Sequence, residues 1–299
     1  MPNVVLFFRL KKPGKKRTVN FIGLMNNFNS ITIGIMQGRL SSIQNGRLQF
    51  FPADWEVEFT LAKEIGFETI EWFFDRKSDA LNPLDDIWGN PEIVKKIKAA
   101  SRIVPTTSMD TDQSLLYGDQ AGKSVDRLGR LMNLSAGIIG TFNVAILEDS
   151  RVNNASELVE LKNNLHPLIK VAEGNDQRIA LETEMPSAIL ADLIKGFDSP
   201  AIGVCYDIGN CTSFGFDCPS DIRLLSNLIF EVHAKDRKIG SSQSVYLGTG
   251  DADFETCFKA LKDVGFKGNL ILQTWRSDDY LADAKGQLEF VKGILRKIY

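Results

Sequence analysis

The sequence predicts an α/β protein that folds as one (β/α)8 barrel, and three observations carry this prediction. Segments typical of strands and of helices alternate about eight times along the chain, with short polar loops between them, as in all-parallel α/β architectures. Nearly every predicted strand runs from apolar residues into polar side chains at its end. The length of 299 residues suits one barrel, which needs roughly 250 residues.

Alternation alone would also fit an open, doubly wound sheet. The polar groups stand at the ends of nearly all the strands rather than at one glycine-rich turn, and this favours the barrel. Stretches containing the eight strands are predicted at 30–36, 67–74, 103–110, 138–147, 178–184, 201–210, 228–236 and 269–276.

Helices are predicted between these strands by amphipathic periodicity and by capping residues. Asn90 is expected to cap the helix that begins at Pro91, because proline is favoured at a first helical position. The longest helix is expected to break or restart at His166-Pro167. The predicted helices are 55–66, 91–100, 124–136, 155–173, 187–195, 221–226, 253–264 and 283–298.

The first 29 residues do not follow this pattern, so we divide the chain into an extension, 1–29, and one barrel domain, 30–299. A short apolar run precedes a basic segment in the extension, which is the wrong order for a secretory signal. We expect an extra strand or a loosely held arm. Translation from an upstream start, with Met25 nearer the true beginning, is the alternative.

Composition narrows the class of protein. The chain is 43% hydrophobic and 24% charged, with a net charge of -3, so no basic surface predicts a nucleic-acid partner. No apolar run approaches the ~18 residues of a membrane span. The four cysteines form no CxxC pair, which favours reduced thiols. We therefore expect a cytoplasmic protein that binds neither nucleic acid nor membranes.

Four of the predicted strands, at consecutive places in the chain, end in Glu182, Asp207, His233 and Gln273. Two carboxylates and an imidazole could hold a divalent ion in an open site, and a glutamine oxygen would be a weaker, neutral ligand. Manganese, magnesium, cobalt and zinc all tolerate such ligands. The alternative is that the two acids lie in loops and that His233 packs in the core.

Six segments, taken in order, resemble the xylose isomerase-like TIM-barrel superfamily, and within it the sugar phosphate isomerase/epimerase branch. The segments are IGIMQGRL, LETE, YDIGN, VHAKD, YLGTGDADF and GFKGNLILQTWR, and the match runs from about Ile31 to the C-terminus. The resemblance implies a metal-dependent enzyme acting on a ketose or its phosphate, in a barrel that often forms homodimers. It also implies that Glu182, Asp207 and His233 are metal ligands and that Asn210 contacts the substrate.

Gln273 departs from the family pattern, because most members have a glutamate as the fourth ligand. In the two-base epimerases of the family, the glutamates of the fifth and eighth strands act on opposite faces of the sugar. Gln273 occupies that catalytic position but has no titratable proton. Either Glu182 alone moves a proton between adjacent carbons, which is aldose–ketose isomerisation through an ene-diolate, or another acid serves the second face. The candidates for that acid are Glu71, Asp110 and Glu184.

The sequence leaves open which glutamate on the fifth strand is the ligand and whether the protein is catalytic. Strand alternation puts Glu182 and Glu184 on the same side of the strand, so the sequence does not decide which of the two is the metal ligand and base. A barrel that has lost catalysis but still binds a sugar is an alternative supported by Gln273. An endonuclease-like hydrolase is a remote one, because the chain has only two histidines and is mildly acidic.

A sugar phosphate would need cationic or backbone N–H contacts. Arg276 is favoured, because it follows Gln273 closely and should overhang the pocket. A surface arginine paired with Asp278 or Asp279 is the alternative. The other candidates for binding substrate are Gln37, Arg39, Lys235, Arg237 and the glycine-rich turn 248–250.

Overall fold

The computed structural model describes residues 31–44, 46–74, 88–111 and 116–299, so the predicted extension 1–29 lies outside the described residues. Eight parallel strands close into a barrel in the order β1-β10-β7-β6-β5-β4-β3-β2, which confirms the predicted fold. These are Thr32–Met36 (β1), Thr69–Phe74 (β2), Ser108–Thr111 (β3), Thr141–Ile146 (β4), Arg178–Thr183 (β5), Ile202–Asp207 (β6), Ile229–Ala234 (β7) and Asn269–Leu272 (β10).

Two short strands that were not predicted, Asp236–Arg237 (β8) and Ser244–Val245 (β9), form an antiparallel hairpin beside the barrel. Helices surround the strands. They are Trp55–Ile65 (α1), Pro91–Ala100 (α2), Ala121–Leu134 (α3), Ala155–Asn175 (α4), Ser187–Lys195 (α5), Ile208–Ser213 (α6), Cys218–Leu225 (α7), Phe254–Asp263 (α8) and Tyr280–Ile298 (α9). No helix of the described segments is both long and apolar enough to cross a membrane.

Most helix signals in the sequence act as expected. The side chain of Asn90 accepts a hydrogen bond from the backbone N–H of Glu92, with Pro91 at the first helical position. Helix α1 ends at Gly66, whose φ of 102° is a left-handed conformation that glycine adopts readily. The predicted break at His166-Pro167 is wrong, because α4 runs continuously through Pro167. Burial of its apolar face outweighs the one backbone hydrogen bond that proline cannot donate.

Helix α6 was not predicted and follows β6 without a loop. Asp207, the last residue of β6, caps α6 by accepting a hydrogen bond of 2.8 Å from the backbone N–H of Asn210. Gly209 permits this tight connection, because a Cβ there would lie 2.7 Å from the carbonyl oxygen of Lys235. The sharp turn from strand to helix places Asp207 and Asn210 side by side at the mouth of the barrel.

The barrel interior is polar. The outer faces of the strands pack against the helices in a large apolar core, whereas the small separate cluster inside contains Met36, Phe73 and Ile271. Typical barrels fill their interior with branched apolar side chains. Buried polar groups are costly unless they are paired or bind a ligand, so this interior indicates a functional site.

Candidate metal centre and active site

Three of the predicted metal ligands meet at the carboxyl ends of neighbouring strands. Glu182, Asp207 and His233 come from β5, β6 and β7, which lie next to one another in the barrel. Nδ1 of His233 lies 3.6 Å from Oε2 of Glu182 and 3.9 Å from Oδ2 of Asp207. All three side chains are buried. The predicted juxtaposition therefore exists in the structure.

The donor set fits a divalent cation. Nδ1 of His233 lies 3.6 and 3.9 Å from the two carboxylates, a spacing expected between two ligands bound at about 2.0–2.2 Å from one metal. On this side of the imidazole, the described residues whose ligand atoms all lie within 4.8 Å of one another are Glu182, Cys205 and His233. Nδ1 of His233 and Oε1 of Gln273 are buried without a hydrogen-bond partner among the described residues. Buried polar atoms are normally satisfied, so these two atoms are suited to a ligand that completes the site.

The other side of the imidazole faces a second pair of carboxylates. Nε2 of His233 lies 3.2 Å from Glu71 and 3.8 Å from Glu231. Asn143 donates hydrogen bonds to both of these carboxylates, and Asn269 donates one of 2.7 Å to Glu231. A hydrogen bond from Nε2 orients the ring with Nδ1 toward Glu182 and Asp207, and a metal bound at Nδ1 would replace the proton there.

The position of Glu71 does not fit its predicted role as an acid for the second face of a sugar. Its carboxylate lies beneath the ring of His233 and has no exposed surface. Burial, together with the charge of Glu231, raises the pKa of Glu71 well above its usual value against the opposing effect of His233. Glu71 is therefore a support for His233 rather than a group that faces substrate.

Neighbouring groups shift the pKa values of His233 and Asp207 in opposite directions. Burial would lower the pKa of His233, but the neighbouring Cys205 and Glu71 outweigh it and raise the pKa well above the usual value. Burial would likewise raise the pKa of Asp207, yet the cationic Lys235 and His233 hold it below its usual value. The ammonium of Lys235 lies 2.9 Å from Oδ2 of Asp207.

Asn210 and Glu182 form a second contact at the mouth. The amide of Asn210 donates a hydrogen bond of 2.6 Å to Oε1 of Glu182, so Oε2 is the oxygen that faces His233. Burial raises the pKa of Glu182, and the nearby charge of Asp207 raises it further. Glu184, which the sequence did not separate from Glu182, sits instead at the rim, 3.6 Å from Arg151.

Gln273, at the end of β10, contacts Asp110 from β3. Its Nε2 donates a hydrogen bond of 3.3 Å to Oδ2 of Asp110, and both side chains are buried. The predicted candidates Gln273 and Asp110 are thus brought together.

A cavity of about 530 Å³ opens over these groups. Glu182, Asn210, Lys235, Gln273 and Asp110 all line it. Its size and its largely polar lining suit a small polar ligand.

A second cavity, of about 520 Å³, adjoins the first. The two share Gln49, Glu148, Lys235, Arg237 and Ser242. The second cavity is also lined by Arg39, Arg47 and Trp275. The combined space therefore has a carboxylate-rich end and a cationic end.

Several predicted substrate contacts lie elsewhere. Arg276 does not overhang the pocket, because its buried guanidinium donates to the backbone carbonyls of Ser41 and Leu48 at 2.9 and 2.8 Å. Gln37 is also buried and accepts a hydrogen bond from the backbone of Phe73.

The glycine-rich turn 248–250 is equally unsuited to hold a phosphate. The backbone N–H groups of Gly248 and Gly250 each donate a 2.8 Å hydrogen bond to Oδ2 of Asp236. This anion-binding turn is therefore used within the protein, where it anchors the segment after β8.

Sequence reasoning missed Asn143, Cys205 and Glu231. Cys205 and Glu231 lie two residues before Asp207 and His233 on the same strands, so the two-residue alternation of a strand directs them to the same interior. Asn143 lies opposite Asp110 in the β3–β4 register. Alternation along each strand is the signal that could have identified the three.

Together, the fold and the site define a (β/α)8 barrel with a candidate carboxylate–histidine cation site beneath a polar cavity. The chain belongs to the xylose isomerase-like TIM barrel family, whose family model matches residues 59–294. This confirms the family that the six sequence segments indicated.

Relatives within the family are sugar epimerases. The chain is 24% identical over 264 residues to L-ribulose-5-phosphate 3-epimerase UlaE of Escherichia coli O1:K1, covering 81% of this chain and 90% of that protein. Its fold is similar to that of an L-ribulose 3-epimerase, with a TM-score of 0.69 and 19% identity, covering 89% of this chain and 95% of the other.

The fold is also similar to that of a xylose isomerase-like TIM barrel protein from Mycobacterium smegmatis in complex with magnesium. The TM-score is 0.68 at 17% identity, and the similarity covers 90% of this chain and 97% of the other. The similarity to the L-ribulose-5-phosphate 3-epimerase along 81% of the chain supports the prediction of a sugar isomerase or epimerase.

Proposed function

We propose that this protein is a divalent-metal-dependent epimerase of a ketose phosphate, which inverts the hydroxyl-bearing carbon next to the ketone. The observation that carries the proposal is the convergence of Glu182, Asp207 and His233, with Nδ1 of the histidine 3.6 and 3.9 Å from the two carboxylates. The similarity to an L-ribulose-5-phosphate 3-epimerase along 81% of the chain supports this reaction class.

Glu182, Asp207 and His233 would hold the cation, and the amide oxygen of Gln273 would serve as a neutral fourth ligand. A bound divalent cation supplies Lewis acidity, which stabilises negative charge developing on the substrate oxygens. Lys235, 2.9 Å from Asp207, keeps that carboxylate ionised and contributes positive charge to the cavity that it lines.

Glu182 is the base that removes the proton from the carbon beside the carbonyl, leaving an ene-diolate. Burial and the charge of Asp207 raise its pKa in the metal-free site, whereas a bound cation would lower it and keep the carboxylate ionised, as a base must be. The hydrogen bond of 2.6 Å from Asn210 to Oε1 fixes the carboxylate in position. Asn210 also lines the cavity, where it can contact a substrate hydroxyl.

The phosphate would occupy the adjoining cavity. Arg39, Arg47, Lys235 and Arg237 line that space, and charge-assisted hydrogen bonds from arginine are the strongest contacts a protein offers to phosphate. The indole of Trp275 lines the same cavity. A linear ketose phosphate spanning both cavities would place its carbonyl end at the carboxylates and its phosphate among the cations.

Turnover of ketopentose and ketohexose phosphates, with and without chelator, tests the proposal. We expect epimer formation by the metal-loaded protein, complete loss on chelation and recovery when Mn²⁺ or Mg²⁺ is restored. An aldose product would favour isomerisation instead. Sugar phosphate binding without turnover would favour a non-catalytic barrel.

The base is tested by a pair of variants in one segment. Glu182→Gln should lower kcat by about 10²–10⁴-fold, the usual contribution of a general base. Glu184→Gln is the matched control, because its carboxylate contacts Arg151 and the backbone of Glu148 at the rim, and its activity should stay within a few-fold. Full activity of Glu182→Gln would exclude Glu182 as the base.

A further inference from the structure

Inversion of a carbon through a planar ene-diolate needs a proton removed on one face and a proton returned on the other. This inference therefore rests on the proposed function and asks which group serves the second face. Glu182 is held on one side of the cavity by Asn210 and His233. Gln273 cannot exchange a proton at neutral pH, so another acid must line the same space.

The carboxylates that line the cavity besides Glu182 are Asp110, Glu148, Asp149 and Glu184. Glu148 and Asp149 are exposed at the mouth, and Glu184 contacts Arg151 at the rim. Asp110 differs from these three, because it is only 3% exposed and stands on a barrel strand. It is thus the acid that lies deep enough to face the reacting carbon.

The position of Asp110 relative to Glu182 suits a sugar between them. Strand β4 separates β3 from β5 in the barrel, and its Ala145 is the direct neighbour of Glu182 in the β4–β5 register. Ala145 also lines the cavity, and its small side chain leaves space there. The two carboxyl groups therefore line the same cavity from strands that are separated by one strand.

The amide nitrogen of Gln273 contacts Asp110, whereas its amide oxygen has no hydrogen-bond partner in the part of the chain that the structure describes. Its Nε2 donates to Oδ2 of Asp110 at 3.3 Å, whereas its Oε1 is buried without a hydrogen-bond partner among the described residues. An amide can donate a hydrogen bond to Asp110 through its nitrogen while its oxygen stays available to a cation. A carboxylate in the same place would repel an ionised Asp110. The glutamine is therefore suited to position the aspartate.

We infer that Asp110 is the second proton-transfer residue of this enzyme and that Gln273 is the positioning residue that orients it. In one direction, Glu182 takes the proton from the carbon, and the C–H electron pair forms the C=C bond of the ene-diolate as the carbonyl oxygen gains the negative charge. The protonated Asp110 then donates its proton to the opposite face of that carbon, and the carbonyl re-forms. Asp110 ends as a carboxylate, Glu182 ends as an acid, and exchange with water resets both.

The test measures epimerisation and solvent-deuterium incorporation separately, for each of the two epimers, in metal-loaded protein. In Asp110→Asn we expect epimerisation to fall at least 100-fold, while the epimer whose proton faces Glu182 still acquires deuterium. Asp263→Asn, in an exposed pair with Arg223 on the outer helix α8, is the control and should keep both rates within threefold. Circular dichroism and Mn²⁺ binding verify that each variant is folded and loaded.

Rescue distinguishes proton transfer from a structural role. In the double variant Asp110→Asn with Gln273→Glu, a carboxyl group returns within hydrogen-bond reach of position 110, and we expect epimerisation to recover at least tenfold over Asp110→Asn alone. A structural loss at position 110 would not be repaired in this way.

Three results would overturn the inference. Asp110→Asn could epimerise within threefold of the wild type, or it could lose deuterium incorporation from both epimers although folded and loaded. The wild type could also exchange deuterium without inverting the carbon, which would refute the proposed epimerase reaction and remove the role of Asp110 with it. A wild type that neither epimerises nor exchanges deuterium would refute the proposed function itself.

Discussion

His233 shows how one buried residue depends on contacts at both ring nitrogens. Nδ1 faces Glu182 and Asp207, whereas Nε2 faces Glu71 and Glu231. The carboxylates at Nε2 orient the ring and increase its basicity, which strengthens a metal bond at Nδ1. The polar floor of the barrel thus supports the cation site above it.

Replacement of Glu71 by glutamine tests this support. The neutral amide is a weaker acceptor for the N–H of His233, so Mn²⁺ affinity should fall about 10–100-fold. Isothermal titration calorimetry with the metal-free protein measures the change. Glu255→Gln, in an exposed pair with Lys259 on α8, is the control. Unchanged affinity in Glu71→Gln would show that His233 needs no such support.

At the scale of the element, one buried carboxylate on α1 organises the segment that follows β1. Glu58 accepts hydrogen bonds from the backbone N–H groups of Gly38 and Leu40, at 2.7 and 3.0 Å, and from the hydroxyl of Ser41 at 2.8 Å. The buried guanidinium of Arg276 binds the carbonyls of the same segment. These contacts position the segment that carries Arg39 and Arg47 to the cationic cavity.

Glu58→Ala should lower the free energy of unfolding by about 2–6 kcal/mol, because it leaves two buried N–H groups without a partner at about 1–3 kcal/mol each. Glu56→Ala on the same helix is the control, since Glu56 is half exposed and pairs with Lys96 at the surface. That variant should change stability by less than about 1 kcal/mol. Urea denaturation measures both, and equal effects would contradict the organising role of Glu58.

At the scale of the whole molecule, charge is distributed unevenly. The chain carries a net charge of -3, yet Arg39, Arg47, Lys235 and Arg237 line one cavity beside the carboxylate site. A cleft lined mainly by cationic side chains concentrates anionic ligands. The arrangement favours a substrate with an anionic end and an uncharged, oxygen-rich end.

We expect Arg237→Gln to lower kcat/KM for the ketose phosphate by about 10–100-fold, the equivalent of one charge-assisted hydrogen bond. Activity on the unphosphorylated ketose should not change. Lys238→Gln is the neighbouring control, because Lys238 is exposed and pairs with Asp251. Equal losses on both substrates would show that Arg237 does not contact phosphate.

The predictability of the fold differed between elements. The Asn90 cap, the Gly66 stop and the apolar strand cores are local signals, and the structure confirmed them. The continuous α4 contradicted the prediction, because burial against the barrel outweighs the low helix propensity of Pro167. The short α6 was not predicted, because the capping role of Asp207 depends on where β6 ends.

The sequence by itself determined the alternating strands and helices and the place of Glu182, Asp207 and His233 near strand ends, and it favoured the closed barrel, because these follow from residue type and spacing. The family was indicated by the resemblance of six segments and confirmed by the family model. Only the tertiary structure decided which groups face the cavity. It directed Glu71 beneath His233, Arg276 into the protein and Asp110 toward Gln273. The physical reason is that side-chain contacts between strands depend on register and barrel closure, which bring together residues as far apart as 110 and 273.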